Sequence, residues 1–233
     1  MVYPYRIGKF EVSEDMVSKA NTLGGLGLSF SRVGTNKPVT MMTFLQVARF
    51  VNWLNTSRGF PPAYNLNERG AWGLWSLEEA WTDGGLNQYR HRDAMYFVPS
   101  ADEWYKAAYF NGQRYYTYPT GGDQEPLPLA AGRRGGSVVY RQPSTAMPAD
   151  VDQAGGLSHY GTMGQAGNVA EWVDTAIDGF NHATDKLLQV RGGSWTANRT
   201  RILGSTNSST RPTGGGTSTS TGFRIASRLP PEP

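Results

Sequence analysis

Four carboxylates, Glu103, Asp152, Glu171 and Asp174, are the groups that acid and base chemistry could use in this chain, and His91, His159 and His182 are its only histidines. The histidines are not spaced for metal binding. A zinc-type histidine pair on a helix needs i, i+4 spacing, and a facial triad needs two histidines converging with a carboxylate; the three histidines show no such pattern and read as loop or capping residues. Glu103 follows Ser100 by three residues, which makes it the partner of a helix cap. The chain contains no cysteine, so disulfides, thiolate metal sites and thiol nucleophiles are excluded together, and the redox compartment is left open.

Charge is distributed unevenly. The net charge is +3, yet no acidic residue lies between Asp185 and Glu232, where Arg191, Arg199, Arg201, Arg211, Arg224 and Arg228 all fall. No aromatic residue stands between Trp195 and Phe223, so the basic and aromatic interleaving of single-strand nucleic-acid readers is missing. Nucleic acid is not the partner this pattern favours.

Helices and strands in this chain are short. At 233 residues with no break in composition, the chain reads as one domain, 1–233, and 7 Trp, 12 Tyr and 9 Phe give it large buried areas despite few apolar residues overall. With 29 Gly and 14 Pro, specified turns outnumber long regular segments. Ser13 caps a helix through about Thr22. Thr43 and Gln46 form a capping box ahead of Phe44, Val47, Ala48, Val51 and Leu54, which recur on one helical face ending near Asn55. Ser100 and Glu103 form a second, with Trp104, Ala107 and Ala108 inward. Strand-like runs lie at Tyr5 to Ile7, Tyr96 to Val98, Gln189 to Arg191 and Gly222 to Ala226. No apolar run is long enough for a membrane span and no basic-then-apolar leader opens the chain; a leader removed ahead of it stays open.

The segment from Thr196 to Thr221 stands apart. Of its 26 residues, eight are Thr, five Ser, four Gly, two Asn and one Ala, which leaves little to pack and predicts a path over the surface. Asparagine codons altered only at adenine yield Thr, Ser, Gly and Ala among others. The composition therefore fits adenine-directed diversification, or else a plain hydrophilic loop.

Several segments, in order, resemble the formylglycine-generating enzyme family. Tyr5 to Val12 is similar to its opening strand, Pro38-Val39 with the following helix to its next segment, and Phe97 to Trp104 to its "LPTEAEWE" helix start. Tyr118-Pro119-Thr120-Gly121, Gly167 to Trp172, Arg191 to Trp195 and Gly222-Phe223-Arg224 continue the series. The resemblance implies an α+β, C-type-lectin-like domain of low regular secondary structure, with a polar ligand-loop region at 190–226. Val151 to Leu157 and the ending through Pro231-Glu232-Pro233 are similar to an exported branch with PEP-type sorting tails. An exported or surface setting is thereby favoured, with cytoplasmic or phage-encoded ones left open.

The resemblance also shows what is missing. The family's oxidases bind copper through two cysteines, whose positions here fall at Ala197 and Ile202; neither side chain can hold soft Cu(I), which excludes that oxidation. Glu171 matches a family calcium ligand, alongside the carbonyls of Gly167 and Val169, but Gly164 lacks the side-chain ligand expected there. Glu171 is then either a weakened calcium ligand or a structural hydrogen-bonded carboxylate. Trp195, Trp53, Trp104 and Trp172 read as core, and Arg224 as a buried or half-buried hydrogen-bonding anchor of the final strand. No cofactor beyond that calcium is implied.

Position and composition together suggest a non-catalytic protein that binds a protein or glycan through Thr196, Asn198, Arg199, Thr200, Arg201, Asn207, Ser209, Thr210, Arg211, Thr217 and Thr219. The placement resembles the variable region of proteins diversified by diversity-generating retroelements. A structural surface protein and an enzyme of another chemistry in the same cleft are the alternatives.

Overall fold

Each helix begins at the cap that its sequence provides. The computed structural model describes residues 3–199, 208–212 and 218–229. In it the Ser13 side chain accepts from the Met16 amide and opens α1, Glu14–Gly24. Both arms of the Thr43 and Gln46 box are made at the start of α2, Phe44–Thr56, and both arms of the Ser100 and Glu103 box at the start of α3, Ala101–Tyr109. The inward face of α2 differs from expectation in one respect: Phe50 is buried, while Leu54 is half-buried. Asn55 is fully buried at the end of that helix, where its amide takes the backbone of Met95 and Tyr96 in three hydrogen bonds of 2.7–3.0 Å. It fixes the chain that leads into α3.

The strands among the described residues are β1 (Tyr5–Ile7), β2 (Ala80–Trp81), β3 (Asn87–His91), β4 (Tyr96–Phe97), β5 (Leu127–Pro128), β6 (Ser137–Val138), β7 (Ala170–Ala176), β8 (Leu187–Arg191), β9 (Ser208–Pro212), β10 (Thr221–Gly222) and β11 (Ala226–Arg228). They form sheets of order β1-β11-β4 and β10-β7-β8-β9, with the pairs β2-β3 and β5-β6. Two expectations change. The segment from Thr196 to Thr221 does not merely run over the surface, because β9 pairs antiparallel with β8, Ser209 facing Val190 and Arg211 facing Leu188. Backbone pairing needs no apolar side chain, so composition could not reveal it. The run from Gly222 to Ala226 is not one strand. It leaves β7 after Gly222 and joins β1 and β4 only from Ala226, which lets Arg224 turn inward between the two sheets.

Aromatic rings fill the largest core cluster. Phe44 meets Tyr64, Trp72 and Trp172 edge-on at centroid distances of 5.7, 5.2 and 5.8 Å, and Phe50 meets Phe223 at 5.6 Å. This is how a chain poor in aliphatic residues acquires a core. Trp104, Trp172 and Trp195 are buried as expected, and Trp53 is half-buried.

Two buried guanidinium groups tie the layers together. Arg90 donates to both oxygens of Asp174 at 3.0 Å and to both oxygens of Glu103 at 3.0 and 2.9 Å. Arg224 donates to Glu171 from Nε at 2.6 Å and from Nη2 at 2.5 Å. Arginine's planar fork suits such two-pronged pairing, which lysine could not reproduce.

Candidate binding surface

The stretch that opens the polar segment is anchored before it reaches the surface. Gly192 has φ 93°, and a Cβ there would lie 2.9 Å from the Gln165 carbonyl, so the backbone needs glycine to pass. Trp195 donates its backbone N–H to Asn168 O, while Gln142 N–H reaches Trp195 O at 2.8 Å and Arg141 N–H reaches Ala197 O at 3.0 Å. Trp195 and Ala197 point inward; Thr196, Asn198 and Arg199 are exposed. The backbone thus holds three polar side chains outward on fixed supports.

Ala197, at the first of the two expected cysteine positions, is buried with Tyr118, Val138, Tyr140 and Ala166. A methyl among rings and aliphatic groups offers copper no donor, so the residues there do not fit that metal. Ile202 lies outside the described residues, as do Thr200, Arg201, Asn207 and Thr217. Ser209, Thr210 and Arg211 belong to β9. Thr219 is exposed on a turn whose Ser218 carbonyl accepts from Met41 N–H at 2.9 Å.

Sequence reading missed what stands beside Arg199. Its Nε donates to the Tyr118 hydroxyl at 3.1 Å and lies 3.3 Å from Glu125 Oε2; the Tyr118 hydrogen bond first, then the Glu125 charge, raises its pKa. Arg141 reaches the other oxygen of Glu125 at 3.1 Å, and the Tyr140 hydroxyl, which donates to the Pro126 carbonyl at 2.8 Å, lies 3.2 Å from that oxygen. Tyr118 carried only a turn motif in the sequence, and no spacing linked Glu125 or Arg141 to residues so far along the chain.

The groups nominated for chemistry are committed elsewhere. Glu103 completes its capping box, as expected, and also pairs with Arg90 and accepts from the Tyr3 hydroxyl at 2.6 Å. Burial would raise its pKa, but Arg90 overcomes this and lowers it. Asp174 is pushed up to about 7, chiefly by burial and further by the Glu103 charge against the pull of Arg90. Asp152 sits near the surface on Arg133 and Asn36. His91 ends a strand and caps the following turn, its Nδ1 accepting from Asp93 N–H at 3.0 Å and its ring edge-on to Trp75 at 4.6 Å; His159 leans on Tyr160 and His182 on Phe180. No three His, Asp or Glu side chains gather as a metal set among the described residues.

At the position assigned to calcium, the Glu171 oxygens take Arg224 and, at 2.7 Å, the Trp104 indole N–H. Glu11, fully buried, accepts from Asn168 Nδ2 at 2.7 Å and Val169 N–H at 3.3 Å, and a Cβ on Gly164 would lie 3.0 Å from its carboxyl carbon. Burial first, then the Glu171 charge, raises the Glu11 pKa well above its ordinary value. Three donors already use the Glu171 carboxylate and a guanidinium stands against it, which would repel a divalent cation. The residues fit an ion pair, not a calcium shell.

An α+β domain of short strands, glycine-passed turns and buried Glu-Arg pairs, with an outward polar stretch after Gly-Gly-Ser-Trp, defines a C-type-lectin-like protein of the formylglycine-generating-enzyme type. Residues 2–229 match the Sulfatase-modifying factor enzyme 1-like domain, and the chain belongs to that family. Among solved structures it is similar to Treponema denticola variable protein 1 (TM-score 0.67, 20% identity, covering 97% of this chain and 84% of that one). It is also similar to CarF (0.63, 21%, 97% and 87%) and to PvdO from Pseudomonas aeruginosa (0.61, 16%, 97% and 81%). No curated protein matches it in sequence.

Proposed function

We propose that the protein is a non-catalytic ligand-binding protein, using the family scaffold to present a polar, sequence-variable surface to a protein or glycan. The observation that carries this reading is the 194–199 stretch: its backbone is pinned at Trp195 and Ala197 while Thr196, Asn198 and Arg199 face solvent. The hydrogen bonds that pin this backbone are main-chain ones, so they do not depend on which side chains stand at 196, 198 and 199. A fold neighbour bearing the name variable protein gives further support. Thr, Ser and Asn supply short donors and acceptors at little rotamer cost, and arginine adds a planar fork.

The experiment replaces Thr196, Asn198, Arg199 and Thr219 with alanine, singly and together, in a protein panned against displayed peptides and a glycan array. Each change is expected to alter stability by less than about 0.5 kcal/mol, because little packing is lost, while selected ligands are lost. Loss of cooperative unfolding together with binding would make these residues structural and defeat the reading. A reverse transcriptase gene beside a near-copy of the segment's coding DNA would establish the diversification.

A further inference from the structure

Two arginines from distant parts of the chain converge on one carboxylate beside the polar stretch. Arg141 and Arg199 each hold one oxygen of Glu125, at 3.1 and 3.3 Å, so two positive charges share one negative charge. The rings of Tyr118 and Tyr140 are buried beneath them and place their hydroxyls on the same cluster. Arg141 has φ 56°, a left-handed conformation that a non-glycine residue adopts at a cost, and its N–H bond to Ala197 O joins it to the stretch. All three charged residues are exposed, so a partner can reach them.

From this geometry we infer that the cluster takes an acidic side chain of a protein partner, with Glu125 as the internal stand-in that the partner displaces. The inference rests on the ligand-binding reading and adds the chemistry of the ligand. The occupant indicates the class: a glutamate carboxylate already lies between two guanidinium groups and within reach of a phenol hydroxyl, and a partner's glutamate or aspartate would meet the same donors. The surplus positive charge favours that exchange. Releasing Glu125 costs little, since exposed ion pairs are weak and water receives the freed carboxylate. Arg199 belongs to the polar segment and Arg141 does not, so the cluster combines a changeable arginine with a fixed one.

The test uses the full chain and two fluorescent peptides, one of glutamate and one of glutamine, with a sulfated oligosaccharide as a third probe. The glutamate peptide is expected to bind, more weakly as salt rises, and the glutamine peptide not to bind. Glu125→Gln should tighten the glutamate peptide about threefold, and Arg199→Gln should weaken it about tenfold. Arg141→Gly removes the second guanidinium while supplying the residue its backbone favours, so it should weaken binding with no loss of folding. Equal binding of the two peptides, affinity unchanged in Arg199→Gln and Arg141→Gly, or binding of the saccharide alone would overturn the inference. A selected ligand that depends on Thr196, Asn198 and Thr219 but ignores both arginines would also overturn it while leaving the broader reading intact. Peptide binding that needs the arginines and ignores those three residues would support it and confine the binding surface to the cluster.

Discussion

Burial, with the Glu103 charge, pushes Asp174 up to about 7 against the pull of the Arg90 that the two carboxylates share. Its ordinary pKa of 3.8 applies in the unfolded chain, so between about pH 4 and pH 7 the folded state binds more proton than the unfolded one. Stability from this group is therefore complete below pH 4 and lost as pH rises through 7. Glu11, also raised, acts in the same sense. The melting temperature should fall from pH 5 to pH 8 in a calorimetric series, and Asp174→Asn should flatten that slope; a slope unchanged in the variant would exclude Asp174 as its source. Arg224→Leu leaves Glu171 buried without its counterion, and a urea titration should show a loss of about 3–5 kcal/mol. At this scale the sequence announced Glu171 and Arg224 through motifs of consecutive residues. It could not announce that Arg90 serves two carboxylates, or that Glu125 joins Arg141 to Arg199, because those contacts depend on how remote segments meet.

Capping boxes were readable because all their atoms lie within four residues. Ser100→Ala should cost about 1 kcal/mol by chemical denaturation, and the measured value tests whether the box or the Arg90 pairing holds Glu103 in place. A cost near zero would mean that Arg90 suffices. The turn entering β7 demands more: Gly167 has φ 69°, and a Cβ would lie 2.1 Å from the Val139 carbonyl. Gly167→Ala should therefore destabilise by more than about 1 kcal/mol, readable as a lowered urea midpoint, and a neutral result would show that the turn can shift. Strand β9 was hidden for the opposite reason to the helices. Its partner β8 is far in sequence and its Thr and Ser content suits loops as well as strands, so only the pairing itself distinguishes the two.

For the whole molecule, the order of motifs conveyed the fold although no single segment would have, and Ala197 marked a position where the copper-binding cysteine is missing. Incubation with a sulfatase-type cysteine peptide, copper and oxygen should yield no aldehyde; turnover at an enzyme-like rate would overturn that expectation. Chelation should leave the melting temperature unchanged, since Arg224 supplies the charge that a cation would bring to Glu171. A fall on chelation would show that a metal enters after all. The pairing of β1 with β11 also has a topological use. Tyr5 and Arg228 are antiparallel partners, so their Cα atoms lie about 5 Å apart. A linker of a few residues can close the backbone there into a ring, and the ring can be reopened at the exposed turn of Gly112 and Gln113. Such a permutant would anchor the protein to a surface or a fusion partner by a different loop, freeing the orientation in which residues 196–199 are offered.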